Sequence, residues 1–308
     1  MSRFLVTRGL FLVLLELTVL RFLWTFNFDY AHYVLAGVIW MLGWCMVLLA
    51  GLIWLPVGTI AIVGLVVIFL QALLDRAGSA IPESAGAARS LFQFLYFGGP
   101  VGLGGDASIS VLYSIVPWIG VMAVGYAFGA IMLRPPPDRR RLCFRIGLSA
   151  TALFLVMGCL TVAMQGPGEN APPALFRLLG QRKYPASPMF LLMTLGPTIA
   201  LLPVAERARG WIADGLTTFG RVPMFYYLLH IPLIHLAAMV VSVIRTGTVS
   251  PWLFGNHPMA PPELPAGYQW SLPLLYLVFA IVVAILYLPC RWFAGLKARR
   301  KGGWLSFV

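Results

Sequence analysis

The sequence predicts an all-α fold, a polytopic bundle of transmembrane helices, and three observations lead to this prediction. Hydrophobic residues make up 60% of the 308 residues and charged residues only 10%, whereas soluble domains carry about 25% charged residues. Several apolar runs approach the ~20 residues that a helix needs to cross the hydrocarbon core of a bilayer. These runs are continuous rather than alternating with a period of two, which argues against an outer-membrane β-barrel.

Proline and glycine clusters divide the chain into about eight predicted spans. Pro56 predicts a tight turn after the second span, and the sequence PPPDRRR at residues 135–141 predicts a polar break after the fourth. Together the spans are expected to form a single transmembrane domain over residues 1–308. They are predicted at residues 8–25, 34–55, 57–74, 112–133, 143–163, 188–205, 222–243 and 272–290.

The segment 75–111 between the third and fourth spans is predicted to stay outside the hydrocarbon core. Its stretch AARSLFQFLYF, residues 87–97, is amphipathic and predicts a helix on the outer interface. The following GGPVGLGG, residues 98–105, predicts a flexible loop, because no strand precedes it and no Lys-Ser/Thr follows it, as a phosphate loop would require.

Lysine and arginine residues predict the orientation of the chain. Placing the C-terminal KARRK, residues 297–301, in the cytoplasm puts most of the 22 basic residues on the inner side, in agreement with the positive-inside rule. The protein is therefore expected in the bacterial inner membrane with both ends of the chain in the cytoplasm. The net charge of +12 then reflects topology, and no nucleic-acid partner is predicted.

The four cysteines lie in or beside apolar segments and show no CxxC spacing, so they are predicted to be buried, inert thiols. No metal site is predicted from them. They are Cys45, Cys143, Cys159 and Cys290.

Residues 220–240, GRVPMFYYLLHIPLIHLAAMV, predict a spanning helix with titratable side chains inside an apolar run. Such side chains are costly at membrane depth unless they have a partner or face a cavity. Tyr226 and His230 are four residues apart and share a face, whereas His230 and His235 lie about 140° apart and form no common metal-binding face. Pro232 predicts a kink. His230 either bonds to a neighbouring helix or faces a substrate.

Charged and polar residues also occur in and after the first span. Glu16 and Arg21 each need a partner or water, and at about 140° apart they are expected to find partners on other helices. They form either a structural ion pair or the polar lining of a substrate cavity. Asn27 and Asp29, in the aromatic segment WTFNFDYAH, belong either to the interfacial belt or to a sugar-binding mouth.

The sixth predicted span has polar residues at its outer end and a predicted break in its interior. Lys183 and Ser187 place a cation and a hydroxyl at its outer end. The sequence MTLGP, residues 193–197, predicts a helix broken at membrane depth, which typically lines a cavity. In the fourth span, Gly125 and Gly129 form a GxxxG pair typical of helix packing.

Arg139, Arg140 and Arg221 lie at predicted cytoplasmic helix ends. They either set the topology or receive nucleotide phosphates. No Ser-x-x-Lys, HExxH, GxSxG or Walker motif occurs in the sequence.

Several segments, in the same order and spread over nearly the whole chain, together resemble the bacterial branch of the heparan-alpha-glucosaminide N-acetyltransferase-like membrane acyltransferases. They are RGLFLVLLELTVLRFLWTFNFDY (8–30), YSIVPWIGVMAVGYAFG (113–129), KYPASPMFLLMTLGP (183–197), FGRVPMFYYLLHIPLIH (219–235) and LPCRWFAGLKARR (288–300).

The resemblance implies a multi-helix membrane enzyme. It would take an acyl group, typically acetyl, from acyl-CoA on the cytoplasmic side and pass it to an acceptor at or beyond the membrane, expected to be a sugar of a glycan. Family members usually begin with further helices that carry the expected catalytic histidine, and this chain starts at the position of their third helix. The chain is therefore expected to be truncated at its N-terminus relative to the family.

The leading hypothesis is an acyltransferase in which a general base activates the acceptor and a cation or donor stabilises the oxyanion. Acetyl-CoA is the expected donor, no metal is required, membrane lipids surround the protein, and a homo-oligomer is left open. The predicted catalytic residues are His230, Tyr226 and Lys183; the predicted CoA ligands are Arg221, Arg139 and Arg140; the predicted acceptor ligands are Asn27, Asp29, Ser187, Glu16 and Arg21.

Two alternatives remain open from the sequence. A transporter or flippase of a polar or lipid-linked solute would also need broken helices and polar groups at midplane, although no inverted repeat is visible. A degenerate, non-catalytic membrane scaffold is the other. CoA-dependent product formation would separate the enzyme from both.

Overall fold

The computed structural model describes residues 1–166, 168, 171–257, 264–265 and 268–300, and within them the fold is helical apart from three short strands. Five of the described helices are long and apolar enough to cross a membrane, and one bent helix pair raises that number to six. The predicted all-α, polytopic fold is thus confirmed, but the prediction of about eight spans is too high. The elements are, in chain order, α1 (Ser2–Leu15), α2 (Arg21–Thr25), β1 (Tyr33–Ala36), α3 (Val38–Leu52), α4 (Val57–Phe69), α5 (Gln71–Ala80), α6 (Ala87–Phe92), β2 (Gly99–Gly104), β3 (Ala107–Val111), α7 (Ile115–Met132), α8 (Pro136–Gln165), α9 (Ala174–Leu179), α10 (Pro188–Ala205), α11 (Trp211–Arg221), α12 (Pro223–Thr246) and α13 (Leu272–Arg299).

The difference in span number arises in the N-terminal part of the chain. The predicted span 8–25 is divided between α1, which has 14 residues, a π turn over residues 16–20, and α2, which has 5 residues. The predicted span 34–55 becomes strand β1 followed by α3, which has 15 residues. At 1.5 Å per residue α3 is about 22 Å long, shorter than the ~30 Å hydrocarbon core. The predicted span 57–74 becomes α4 and α5, which are bent by 46° against each other.

The chain folds into two compact units. The first contains Met1–Leu14 and Leu35–Arg207, and the second contains Leu15–Val34 and Ala208–Val308. Lys301, which belongs to the predicted cytoplasmic tail, lies outside the described residues. The orientation of the chain stays a prediction.

A small sheet replaces the flexible loop that was predicted for residues 98–105. Strands β2 and β3 form an antiparallel hairpin in which Val101 faces Ile109, and the strand order is β1–β3–β2. Gly104 and Gly105 adopt φ values of 107° and 57°, which suit glycine, and so supply the turn. The apolar alternation through Val101, Ile109 and Val111, all buried, explains why the segment forms strands. The preceding stretch 87–97 is helical, as predicted.

Glycine pairs bring the helices of the first unit into backbone contact. A Cβ atom added to the glycine of one helix would lie within 2.7 Å of a backbone oxygen of the other helix, so only glycine fits there. The pairs are Gly9 with Gly43, Gly64 with Gly120, and Gly147 with Gly196.

Two predictions about glycine are wrong. Gly125 and Gly129 have open space where a Cβ would lie, so this GxxxG pair makes no close helix contact among the described residues. The sequence MTLGP does not break its helix, because α10 continues through Gly196 and Pro197. Gly196 instead allows the close approach of α8, where a Cβ would lie 2.8 Å from the Thr151 nitrogen.

The second unit contains a buried cluster where the N-terminal end of α12 meets the C-terminal part of α13. Val222, Cys290, Phe293 and Ala294 form its buried cluster, and Tyr226 packs against this cluster. Helix α12 is continuous through Pro232. This packing fixes the position of the α12 face that carries Tyr226.

Three of the four cysteines are buried, as predicted, but Cys159 is exposed. It lies on α8, one of the helices that are long and apolar enough to cross a membrane.

Candidate functional site

His230 and Tyr226 lie on one face of α12, as predicted. Their rings stack with centroids 5.3 Å apart and an angle of 9° between the planes. The Nδ1 atom of His230 lies 2.6 Å from the backbone oxygen of Tyr227. Because a carbonyl oxygen only accepts, Nδ1 carries a proton in this bond, and in the neutral ring the lone pair is at Nε2.

His230 and Tyr226 line a cavity of about 370 Å³ between α12 and α13. This volume is in the range of small-molecule sites. Apart from His230, its walls are aromatic and aliphatic, so the imidazole is the titratable base within an apolar space. The other lining residues are Ile234, Trp270, Leu275, Tyr276, Val278, Phe279 and Val282.

His235 lies in different surroundings from His230. Its ring stacks on Phe26 at 4.1 Å and lines a second cavity, of about 330 Å³, with Trp24 and Trp252. The two histidines therefore line different cavities, in agreement with their predicted separation of about 140° around the helix. Among the described residues, no group of three or more His, Cys, Asp or Glu side chains could hold a metal ion.

Glu16 and Arg21 are both fully buried at the junction of α1 and α2. Residues 16–20 form a π turn, in which the backbone N–H of Arg21 donates to the oxygen of Glu16. A π turn places residues five apart one above the other, so the predicted angle of about 140°, which assumes an ideal α-helix, does not apply here.

The guanidinium of Arg21 finds its partners on its own helix, in the segment that follows it and in the loop that contains Asn256, rather than on other helices, which corrects the prediction. It donates to the backbone oxygens of Asn27, Asp29 and Tyr33 at 2.5–3.1 Å. It also donates to the side chain of Asn256 at 3.2 Å. The ring of Tyr30 lies 4.6 Å below it.

Asp29 connects this arginine cluster to a histidine. One carboxylate oxygen accepts from Nδ1 of His32 at 2.6 Å, and the other accepts from the amide of Asn256 at 2.9 Å. The hydrogen bond from His32 holds the pKa of Asp29 below its ordinary value. The structure thus brings together the predicted acceptor ligands Arg21, Asn27 and Asp29. Their polar atoms, however, are largely hydrogen-bonded to one another.

Asn256 and His32 were not among the predicted site residues. His32 belongs to the segment WTFNFDYAH, and its spacing of three from Asp29 is the signal that could have revealed the pair. Asn256 follows a glycine in an irregular loop, and no local pattern marks it as a partner of Arg21.

In the first unit, Lys183 lies over two aromatic rings. Its ammonium nitrogen is 5.1 Å from the ring centroid of Tyr184 and 5.5 Å from that of Tyr113. Tyr113 was not predicted as a site residue. Ser187, a predicted acceptor ligand, is instead the N-cap of α10, where its hydroxyl accepts from the nitrogen of Phe190 at 3.1 Å.

The predicted CoA ligands differ in their surroundings. Arg139 and Arg140 both bond to Glu206, at 2.7 and 3.2 Å, so one carboxylate already neutralises part of their charge. The bond from Arg139 lowers the pKa of Glu206. Arg221, at the end of α11 in the second unit, is exposed.

No protein-family model matches this sequence, and no match was found among curated proteins or solved structures. The resemblance to membrane acyltransferases therefore stays a prediction.

Proposed function

We propose that this protein is an integral membrane acyltransferase in which His230, rather than the upstream histidine that the family resemblance implies, is the general base. The observation that carries the proposal is the bond between Nδ1 of His230 and the Tyr227 oxygen at an apolar cavity. This bond fixes the tautomer whose Nε2 can accept a proton. The bond satisfies Nδ1 alone, so Nε2 is the ring nitrogen that a bound substrate could engage, and this supports a catalytic role.

In the proposed reaction, an acceptor hydroxyl or amine attacks the carbonyl carbon of a thioester while Nε2 of His230 takes its proton. The carbon–sulfur bond then breaks, and the departing thiolate receives the proton from His230. The apolar walls of the cavity would hold the acyl group. Tyr226 acts as a positioning residue, because its ring stacks on the imidazole.

The proposed donor is acyl-CoA, with acetyl-CoA as the first candidate, and the proposed acceptor is a sugar of a glycan. The proposed location is the bacterial inner membrane with both chain ends in the cytoplasm. Arg221 is the better candidate for a CoA phosphate, because Arg139 and Arg140 share the carboxylate of Glu206.

The test is acyl transfer by the purified full chain in lipid nanodiscs, followed as release of free CoA thiol and as acylated sugar by mass spectrometry. We expect His230→Ala to lower kcat by about 100-fold or more, since general base catalysis contributes 10²–10⁴-fold. His230→Gln, which keeps a polar side chain but cannot take the proton, should lose a similar amount.

His235→Gln is the matched control, because it changes the other histidine of α12, which lines a different cavity. It should keep wild-type transfer once its thermal melt shows a folded protein. Wild-type activity in His230→Ala would remove His230 from the site. Movement of a sugar across the membrane without any acylated product would favour the transporter alternative.

A further inference from the structure

Lys183 lies in the turn before α10, where two tyrosines surround its ammonium group. The rings of Tyr113 and Tyr184 meet edge to face at 5.2 Å, and their hydroxyl oxygens are 3.3 Å apart. Hydrogen bonding to Tyr184, and then to Tyr113, raises the pKa of Lys183. The ammonium group is therefore fully charged at neutral pH.

The turn that carries Lys183 is held in place on both sides. Gln71 donates to the backbone oxygen of Ala186 at 2.7 Å in a buried bond. Arg182 pairs with both carboxylate oxygens of Asp75, at 2.7 and 3.2 Å. The position of Lys183 is thus preorganised by its neighbours, which reduces the ordering cost of binding a ligand.

The charges in this turn are unbalanced. Asp75 neutralises Arg182, whereas among the described residues no carboxylate lies within ion-pair distance of Lys183. The positive charge of Lys183 is therefore not neutralised by a carboxylate, and it lies beside the rings and hydroxyl groups of Tyr113 and Tyr184. Tyr184 is 44% exposed, so a ligand can reach its ring.

We propose that Lys183, Tyr113 and Tyr184 form a binding site for an acidic saccharide, a sugar that bears a carboxylate or a phosphate. The ammonium group pairs with the acid group, the two phenols bond to neighbouring oxygens, and the exposed ring of Tyr184 stacks on the sugar. This assignment concerns a binding site within the first unit, and it can be measured without any transfer.

The test is equilibrium binding to the full chain in nanodiscs of zwitterionic lipid, by titration calorimetry or saturation-transfer NMR. The probes are glucuronic acid, glucose 1-phosphate, glucose and inorganic phosphate. We expect the two acidic sugars to bind about 10-fold or more tightly than glucose, as one charge-assisted hydrogen bond provides. Tighter binding of the carboxylate or of the phosphate identifies the acid group. Equal binding of glucose overturns the proposal, and inorganic phosphate binding as tightly as glucose 1-phosphate overturns its saccharide part.

Three variants locate the binding. Lys183→Met keeps the aliphatic stem and removes the charge, and it should abolish the preference for acidic sugars. Lys183→Arg, which keeps the charge, should retain part of it. Arg76→Met removes an exposed charge from α5 and is the matched control. Wild-type binding by Lys183→Met contradicts the proposal.

The same variants separate this inference from the proposed function. His230→Ala should keep acidic-sugar binding while it loses transfer. If acidic sugars bind through Lys183 but no donor is ever consumed, the proposed function fails and the binding site stands. If transfer occurs and Lys183→Met binds acidic sugars as the wild type does, the inference fails and the function stands.

Discussion

Arg21 carries a buried charge among neutral oxygen atoms. Its described hydrogen bonds go to backbone carbonyls, to the hydroxyl of Thr25 and to the side-chain amides of Asn27 and Asn256. Carbonyl oxygens carry partial negative charge, and several of them converging on one group stabilise a cation there. The planar fork of a guanidinium can reach all these acceptors at once, whereas an ammonium group cannot.

Arg21→Met should therefore destabilise the protein by about 3 kcal/mol, since several buried acceptors lose a charged donor. Arg21→Lys should fall between this variant and wild type. The measurement is the free energy of unfolding in detergent, followed by loss of helical circular dichroism. Arg76→Met, at an exposed position, should change stability by less than about 0.5 kcal/mol. Equal stability of Arg21→Met and wild type would show that the cluster is dispensable.

At the scale of elements, a pair of glycines allows α8 and α10 to approach closely. A Cβ at position 147 would clash with the backbone nitrogen of Ala200 and lie 2.7 Å from the oxygen of Gly196. Backbone atoms cannot rotate away as a side chain can. The two helices would have to separate to admit even one methyl group.

Gly147→Ala is thus expected to destabilise the first unit by about 1–3 kcal/mol, the usual cost of overpacking. Gly125→Ala is the matched control, because nothing lies within 4 Å of the added methyl group. It should be neutral or slightly stabilising, since alanine favours a helix more than glycine does. The measurement is the melting temperature of both variants in parallel. Equal melting temperatures would contradict the packing argument.

The sequence was sufficient to predict the helical class and most of the long spans, because length and apolarity are local properties. It could not predict which glycines touch another helix. Gly125 and Gly129 have the motif spacing and make no such contact, while Gly147 and Gly196 make it without that spacing. The difference lies in which faces meet, and this depends on the whole bundle.

The candidate site, too, was predictable only where local spacing determines the structure. The shared face of Tyr226 and His230 follows from a spacing of four on a helix, and it was predicted correctly. The partners of Arg21 were not, because the π turn shifts the helical phase and because Asn256 lies 235 residues away in the sequence. Tyr113 is 71 residues from Tyr184 and was missed for the same reason.

At the scale of the whole molecule, the chain passes between the two units more than once. Residues 15–34 leave the first unit and return to it, and the chain enters the second unit again after Arg207. Residues 171–173 come between α8 and α9, residues 206–210 follow α10, and both α8 and α10 are long and apolar enough to cross a membrane. The two segments are therefore expected on opposite sides of the membrane.

Single cysteines in a variant without the four native thiols test this expectation. Ala208→Cys, in the loop after α10, should be protected from a membrane-impermeant maleimide in intact cells and react after permeabilisation. Ala171→Cys, before α9, should react in intact cells. The reverse pattern would invert the predicted orientation, and labelling of both from one side would mean that α10 does not cross.

The distance in sequence between Arg21 and Asn256 also bears on how the protein is made. At about 5–20 residues per second, a ribosome needs roughly 10–50 s to reach Asn256 after Arg21 has been synthesised. During that time a charged helix would wait in or beside the bilayer. Thr25, Asn27, Asp29 and Tyr33 are synthesised almost together with Arg21, so most of its acceptors are available from the start. Asn256 then joins a cluster that already surrounds the guanidinium with hydrogen-bond acceptors. The acceptors that stabilise the charge are thus synthesised first, and Asn256 adds to them later.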